Sequence, residues 1–251
     1  MIKFFRHIRM NMMSEGKTGK YMKYAIGEII LVVIGILIAL SINNWNELRK
    51  SKNNTRSILM AIKAENTINI KDLDLKIKDS EHVLGNLVLL LENLGPDYME
   101  KDEDVIDSVF FEGLSITLFD PNKASFENLI NSGNIKYIVN DSLHDMLLEW
   151  SSKLDDILKA EARNLQTFKT FVIPHFYDKI SLVKIDRKFD DNTKHLPPSA
   201  FPFDNRSALN SMKTENIIED HLYNLERLGN HYKRFYSELK ALNRLIEKEL
   251  Q

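Results

Sequence analysis

Ile29 to Leu40 reads IILVVIGILIAL, twelve apolar residues in succession with no charge among them. Tyr24-Ala25-Ile26-Gly27 before it and Ser41-Ile42 after it lengthen the stretch, and Glu28 is its one charged residue. The hydrocarbon core of a bilayer takes roughly 20 mostly apolar residues of helix, so Tyr24 to Ile42 predicts one crossing. No second segment of the chain approaches that length. The expected organisation is a basic cytoplasmic arm at 1–23, a transmembrane helix at 24–42 and an exported domain at 43–251.

Charge on the flanks sets the orientation. Six Lys/Arg and one acid precede the span, against four Lys/Arg and one acid just after it, through Arg56. The positive-inside rule then favours a cytoplasmic N-terminus and a periplasmic domain on an inner membrane. Lys20 and Lys23 before the span and Trp45 after it read as membrane-interface anchors. Ala39-Leu40-Ser41 also fits a signal-peptide cleavage site, but the long N-terminal region and the Asn43-Asn44-Trp45-Asn46 collar favour an uncleaved anchor. Within residues 1–13, Met1, Phe4, Phe5, Ile8 and Met12 share one helical arc, with Lys3, Arg6, His7 and Arg9 outside it. That pattern suits a helix lying in an anionic headgroup layer, and equally a merely basic start of the chain.

On a helical wheel Glu28, Gly35 and Ala39 fall within about 40° of one another. Gly35-x-x-x-Ala39 is the small-xxx-small spacing that lets membrane helices approach closely, and Glu28 on the same stripe is costly against lipid. Either this is a transmembrane interaction stripe, facing another membrane protein or a second copy, or Glu28 sits at headgroup depth and the small residues recur by chance.

Beyond the span the composition is that of a folded domain. Residues 1–56 hold ten Lys/Arg and three acids; the totals of 34 and 36 leave 24 basic and 33 acidic residues for 57–251, a net charge of −9. Such a domain repels phosphate backbones, so nucleic acid is not an expected partner, whereas membrane lipids are. The chain has no cysteine, which excludes disulfides, thiolate metal sites and a cysteine nucleophile.

Three- and four-residue spacing recurs along the domain. Leu59, Ile62, Asn66, Ile70, Leu73, Ile77, Ser80, Leu84, Leu87, Leu91 and Leu94 form one seam, in which Asn66 and Ser80 either fix register or mark a partly wet face. Gly95-Pro96 closes it. A shorter helix is expected within 97–113, capped by Asp102, with Val105, Ile106, Val109 and Phe110 inward. Gly113 to Asp120 reads as loop or extended chain, and FENLINS as a short helix stopped by Gly133. A longer helix starts near Asp141, with Leu143, Met146, Leu147, Trp150, Leu154, Ile157, Leu158, Leu165, Phe168 and Val172 on its stripe and a kink or end at Pro174. Residues 186–206 read as loop, and Ile218 to Ile246 as the last helix. The expected fold class is all-α: one transmembrane helix followed by an elongated antiparallel helical bundle.

No catalytic constellation emerges. Gly16-Lys17-Thr18 lacks the upstream glycine and the buried strand of a phosphate loop, and 14–20 reads as a hinge. No two of the histidines stand three or four apart, and Asp79/His82 and Asp141/His144 lack a third ligand, so no metal or other cofactor is expected. Carboxylate pairs such as Asp155-Asp156 read as solvated faces. Trp150 with Phe168, Phe171, Phe176 and Tyr177 reads as core rather than as a ligand pocket.

Met1-Ile2-Lys3-Phe4-Phe5-Arg6, the run Gly16 to Leu40, and Asn43-Asn44-Trp45-Asn46 resemble a family of single-pass membrane proteins from Bacteroidota, domain of unknown function 6090. A second block, Phe126 to Leu147 with Leu129, Ser132-Gly133 and Leu143, is similar too. The resemblance implies membrane attachment and brings no activity, cofactor or catalytic residue. The expected function is therefore non-enzymatic: protein-protein interaction or scaffolding at the membrane. The alternative is a sensory input module working through a partner chain, and a ligand-sized pocket between bundle helices would favour it.

Overall fold

The computed structural model describes residues 18–251. The amphipathic pattern at 1–13 and the start of the hinge, 14–17, lie outside the described residues, whereas Thr18 to Lys20 already belong to a helix. That helix, α1, spans Thr18–Glu92. The chain divides into two compact units, Met1–Arg56 and Ser57–Gln251.

The second unit is built from helices alone, with no strand among the described residues. After α1 come α2 (Glu103–Gly113), α3 (Ala124–Asn131), α4 (Asp141–Thr167), α5 (Ile173–Phe176), α6 (Leu182–Phe189) and α7 (Met212–Leu250). The expected seam of α1 faces inward: Leu59, Ile62, Leu73 and Leu87 are buried and Ile70, Ile77, Leu84, Leu91 and Leu94 half-buried, while Leu90, outside that seam, is buried too. Asn66 and Ser80 are buried as well, so the wet-seam reading of them is overturned. Both carry a side-chain polar atom with no hydrogen-bond partner.

Polar cross-links give the direction of each element. Lys63 pairs with Glu247 at 2.8 Å and Glu81 with Lys233 at 2.7 Å, so α7 runs antiparallel to α1. Lys153 meets Glu238 at 3.4 Å and Glu161 meets Tyr232, which makes α4 antiparallel to α7 too. Between α1 and α4 the chain returns along α1: Glu112 reaches His82, Asn122 reaches Asn69 and Ser125 reaches Glu65. The result is an up-down-up-down bundle whose second column is broken into α2, an extended piece and α3. Periodicity points to the three long columns; this fourth one lacks a long period because it is not one helix.

The break is stabilised from the sides. Asn69 donates to the Asn122 carbonyl and accepts from the Asn122 N–H, both at 2.8 Å, standing in for the backbone partners that a helix would supply. Lys123, at the N-cap of α3, offers no capping side chain; Glu65 of α1 instead accepts from the Ser125 N–H at 3.0 Å and from its hydroxyl at 2.7 Å. Asp102 caps α2 as expected, accepting from the Val105 N–H at 3.1 Å. Gly133 ends α3 with φ +66, the left-handed conformation that favours glycine.

Several inward assignments are corrected. Val105 and Leu158 are exposed, and Asp107 is buried on α2. A 3.6-residue period places an apolar residue near the inward face without deciding whether a neighbour covers it. Leu182–Phe189 is helical, so the loop expected from 186 begins only at Asp190, where the cap N–H bonds to the Asp186 carbonyl. Before Pro174 the helix widens into a π-turn, Phe168–Val172, in which the Ile173 N–H reaches the Phe168 carbonyl. The wider turn accommodates a proline that has no N–H to give.

Aromatic rings fill the centre. Trp150 lies 4.2 Å from Phe126 and 6.0 Å from Phe235 between ring centroids, and Phe119 packs edge-on against Phe235. Trp150 is thus core, in agreement with the preferred reading. Phe171 and Tyr177 are exposed, while Phe176 is buried edge-on against Phe110.

Candidate functional site

The first candidate is the apolar stretch of α1. It is long and apolar enough to cross a membrane, and none of its most apolar window is buried within the structure. Ile29, Leu31, Leu37 and Ile38 stand in the open, as does Trp45, over whose ring the Arg49 guanidinium lies at 5.7 Å. An added Cβ at Gly35 would meet no atom within 4 Å. Ala39 and Lys23 are exposed and Glu28 is half-buried; the Lys20 side chain lies outside what the structure describes. The stripe of Glu28, Gly35 and Ala39 therefore lies on one helix, with Gly35 and Ala39 open to solvent.

The second candidate was not legible in the sequence. At the end of the bundle where α1 stops, α2, α6 and the loop 198–204 enclose an open cleft of about 730 Å³, within the range of small-ligand sites. Lys184 and Lys188 sit one turn apart on α6 and line it. Lys184 pairs with Glu103 and stands 3.3 Å from the Asp107 carboxylate; Lys188 pairs with Asp104 and stands 3.6 Å from the same Asp107 oxygen. Asp107 is fully buried, and its other oxygen accepts from Asn205 Nδ2 at 2.7 Å. Asn205 in turn accepts from the Ser181 N–H at 2.7 Å, which ties the start of α6 to the 3-10 turn Asn205–Leu209.

Burial works to lower the Lys184 ammonium, but the Glu103 and Asp107 carboxylates outweigh it and hold the group above its ordinary value. Lys188 holds the Asp104 carboxyl below the ordinary aspartate value. Beside the cleft, Arg206 pairs with Asp204 at 2.7 Å and donates to the Met99 and Lys101 carbonyls, which ties the loop to Tyr98–Glu100 and the residue after it. The sequence signal for this assembly was faint: a Lys-x-x-x-Lys pair on a short amphipathic helix, beside a loop with prolines at 197, 198 and 202.

The titratable groups of the core are placed apart from this cleft. Glu161 is buried and accepts from the Phe119 N–H at 2.8 Å and from the Tyr232 hydroxyl. Burial pushes the Glu161 carboxyl above its ordinary value, and burial together with the Glu161 carboxylate pushes the Tyr232 hydroxyl up as well. His221 is fully buried beside Phe168, at 5.2 Å between rings, and neither ring nitrogen has a partner. His82 pairs with Glu112 at 3.1 Å, across to α2 and not with Asp79; His144 lies 3.6 Å from its neighbour Asp145. Among the described residues no group of three or more His, Asp or Glu side chains converges as a metal site would require.

These features define the class: an all-α protein in which a long helix with a membrane-length apolar stretch leads into a separately cored helical domain. Residues 28–149, just under half of the chain, match the model of a family of unknown function (DUF6090). The match takes in most of the apolar stretch, the Asn43 to Asn46 collar and the whole of Phe126 to Leu147; the quoted residues 1–6 and 16–27 fall outside it. Comparisons with curated proteins and with solved structures return no match.

Proposed function

We propose that the protein is a single-pass inner-membrane protein, N-terminus cytoplasmic, whose periplasmic helical domain works by interaction with another membrane protein or with a second copy, without catalysis. One observation carries this reading: an unburied apolar helix of membrane length joined to a domain that already has its own core. Leaving about 18 apolar residues in water would cost far more than any folded domain can offset, so the stretch needs lipid or protein around it. Open space at Gly35 supports the close approach of a partner helix, since van der Waals packing is the main attraction between helices in lipid. The sensory alternative asks for a ligand-sized pocket between bundle helices; the groove between α4 and α7 holds about 90 Å³, too little for a ligand of ordinary size, and the larger cleft, which would favour that alternative if it binds a ligand, lies at the end of the bundle between α2, α6 and the loop 198–204.

The test has two arms. Carbonate washing should leave the chain in the membrane, and a reporter active only outside the cytoplasm should work when fused after Gln251. Extraction by carbonate, or a silent reporter, overturns anchorage or orientation respectively. In the second arm, Gly35→Ile with Ala39→Ile should abolish in-membrane crosslinking to the partner or to itself, while isoleucine at Val33 and Leu37 should not. Equal behaviour of the two faces removes the stripe from the proposal.

A further inference from the structure

Around the cleft at the end of the bundle four cations stand with four carboxylates, but the pairing is uneven: two ammoniums share three carboxylates, and one guanidinium is left with none. Lys184, Lys188 and Arg206 are all engaged, with Glu103, Asp104, Asp107 and Asp204 around them. Arg187 lines the same cleft, is half-buried, and makes no ion pair or hydrogen bond among the described residues. A half-buried guanidinium without a counter-ion has given up part of its hydration and gained nothing in return, which is unfavourable unless an anion completes it.

The loop that lines the cleft is largely apolar. Pro198, Phe201, Pro202 and Phe203 line it, and Phe201 is 77% exposed. Such a ring on a loop would usually fold back against the surface. Here the loop holds it out: the Ser199 hydroxyl donates to the Phe201 carbonyl at 3.1 Å and accepts from its N–H at 3.3 Å. Two flanking prolines fix φ on either side of the turn. A pre-ordered aromatic wall loses little freedom on binding, so contacts made to it are retained as affinity.

From this juxtaposition we infer that the cleft binds a small aromatic anion, its carboxylate or phosphate on Arg187 and its ring against Phe201 and Phe203. The chemistry of the two walls selects for both halves of such a molecule. Arg187 offers the planar fork that meets a carboxylate or phosphate with two parallel hydrogen bonds. Phe201 and Phe203 offer faces and edges for an offset or edge-on ring. Lys184 and Lys188 are taken up by Glu103, Asp104 and Asp107, which leaves Arg187 as the group free to receive the anion. The inference is independent of membrane attachment and of the partner proposed for the apolar helix.

Isothermal titration of the full chain in neutral detergent micelles tests it, with empty micelles as the blank. The probes are benzoate and phenyl phosphate; acetate, inorganic phosphate and benzyl alcohol represent the separate halves. At least one aromatic probe should bind saturably at one site per chain, and each half-probe should bind at least about tenfold more weakly, the equivalent of about 1.4 kcal/mol. Arg187→Gln should weaken the aromatic anion about tenfold or more while leaving the thermal unfolding of the domain unchanged, because Arg187 has no ion pair or hydrogen bond among the described residues. Phe201→Ala with Phe203→Ala should weaken the aromatic probe and leave inorganic phosphate as it was. Arg234→Gln, in the groove between α4 and α7, is the control and should change nothing. The inference is overturned if neither aromatic probe saturates, if Arg187→Gln binds as the parent does, or if inorganic phosphate binds as tightly as phenyl phosphate.

Discussion

Acidification should destabilise the helical domain through His221, and the size of the effect follows from its surroundings. The ring is fully buried, lies tilted against Phe168 and has no partner on either nitrogen. Burial lowers its pKa from 6.5 to about 4. Folded, the imidazole stays neutral; unfolded, it takes up a proton near its ordinary value. The unfolded chain thus binds more protons between those two values, so the stabilisation is complete above about pH 6.5 and is lost as pH falls towards 4. Each pH step of one between the two values is worth about 1.4 kcal/mol, giving a loss of about 2 kcal/mol from pH 7 to 5 and about 3 kcal/mol by pH 4. His175 contributes with the same sign: burial, then Lys213 and Lys179, lower its pKa against Asp178. Glu161 acts oppositely, since its raised carboxyl favours the fold as pH drops through its folded value. Comparison with His221→Leu isolates the histidine from these other groups. Urea unfolding of the full chain in micelles, followed by circular dichroism at a series of pH values, should show the parent losing about 2 kcal/mol more than the variant between pH 7 and 5. Parallel profiles would refute the argument, and would mean that His221 finds a hydrogen-bond partner or water in solution.

Three further perturbations probe the bundle. Leu87→Asp puts a carboxylate at a fully buried position of α1 and should cost at least about 3 kcal/mol, read as a fall in the urea midpoint; a tolerated change would remove Leu87 from the core. Glu161→Leu leaves the Phe119 N–H and the Tyr232 hydroxyl without an acceptor and should cost about 1–3 kcal/mol. Amide exchange at Phe119 should speed up more than exchange in α4, and uniform loss across both would contradict a local pin. Gly133→Val places a β-branched residue at φ +66 and should cost about 1–2 kcal/mol, whereas the same change at Gly85, exposed and about two turns before the end of α1, should cost less, as a comparison of midpoints will show.

The cleft also carries a lesson about charge counting. By composition the domain is acidic, and an unpaired guanidinium at Arg187 is invisible in that total. It emerges only when each carboxylate near α6 is assigned to the ammonium or guanidinium it touches.

Local pattern alone was enough for the elements whose physics is local. Twelve successive apolar residues announce a membrane-length helix, three-four spacing gives the seams of α1, α4 and α7, and Asp102 and Gly133 mark helix ends because capping and positive φ are settled within a turn of chain. The Phe126 to Leu147 block, matched to the family over its whole length, lies in the second column and the start of α4. What the sequence could not decide are the pairings at long range. Asn69 with Asn122, Glu65 with Ser125, and Glu161 with Phe119 and Tyr232 join residues 42 to 71 positions apart, and no periodicity records which column a polar side chain will meet. These contacts turn a stretch of 114–123 that reads as loop into the bridge of a fourth column. The cleft has the same origin: Arg187 and Phe201 are ordinary surface residues until α2, α6 and the 3-10 turn at 205–209 are drawn together by Asp107 and Asn205, a buried pair formed only by tertiary packing.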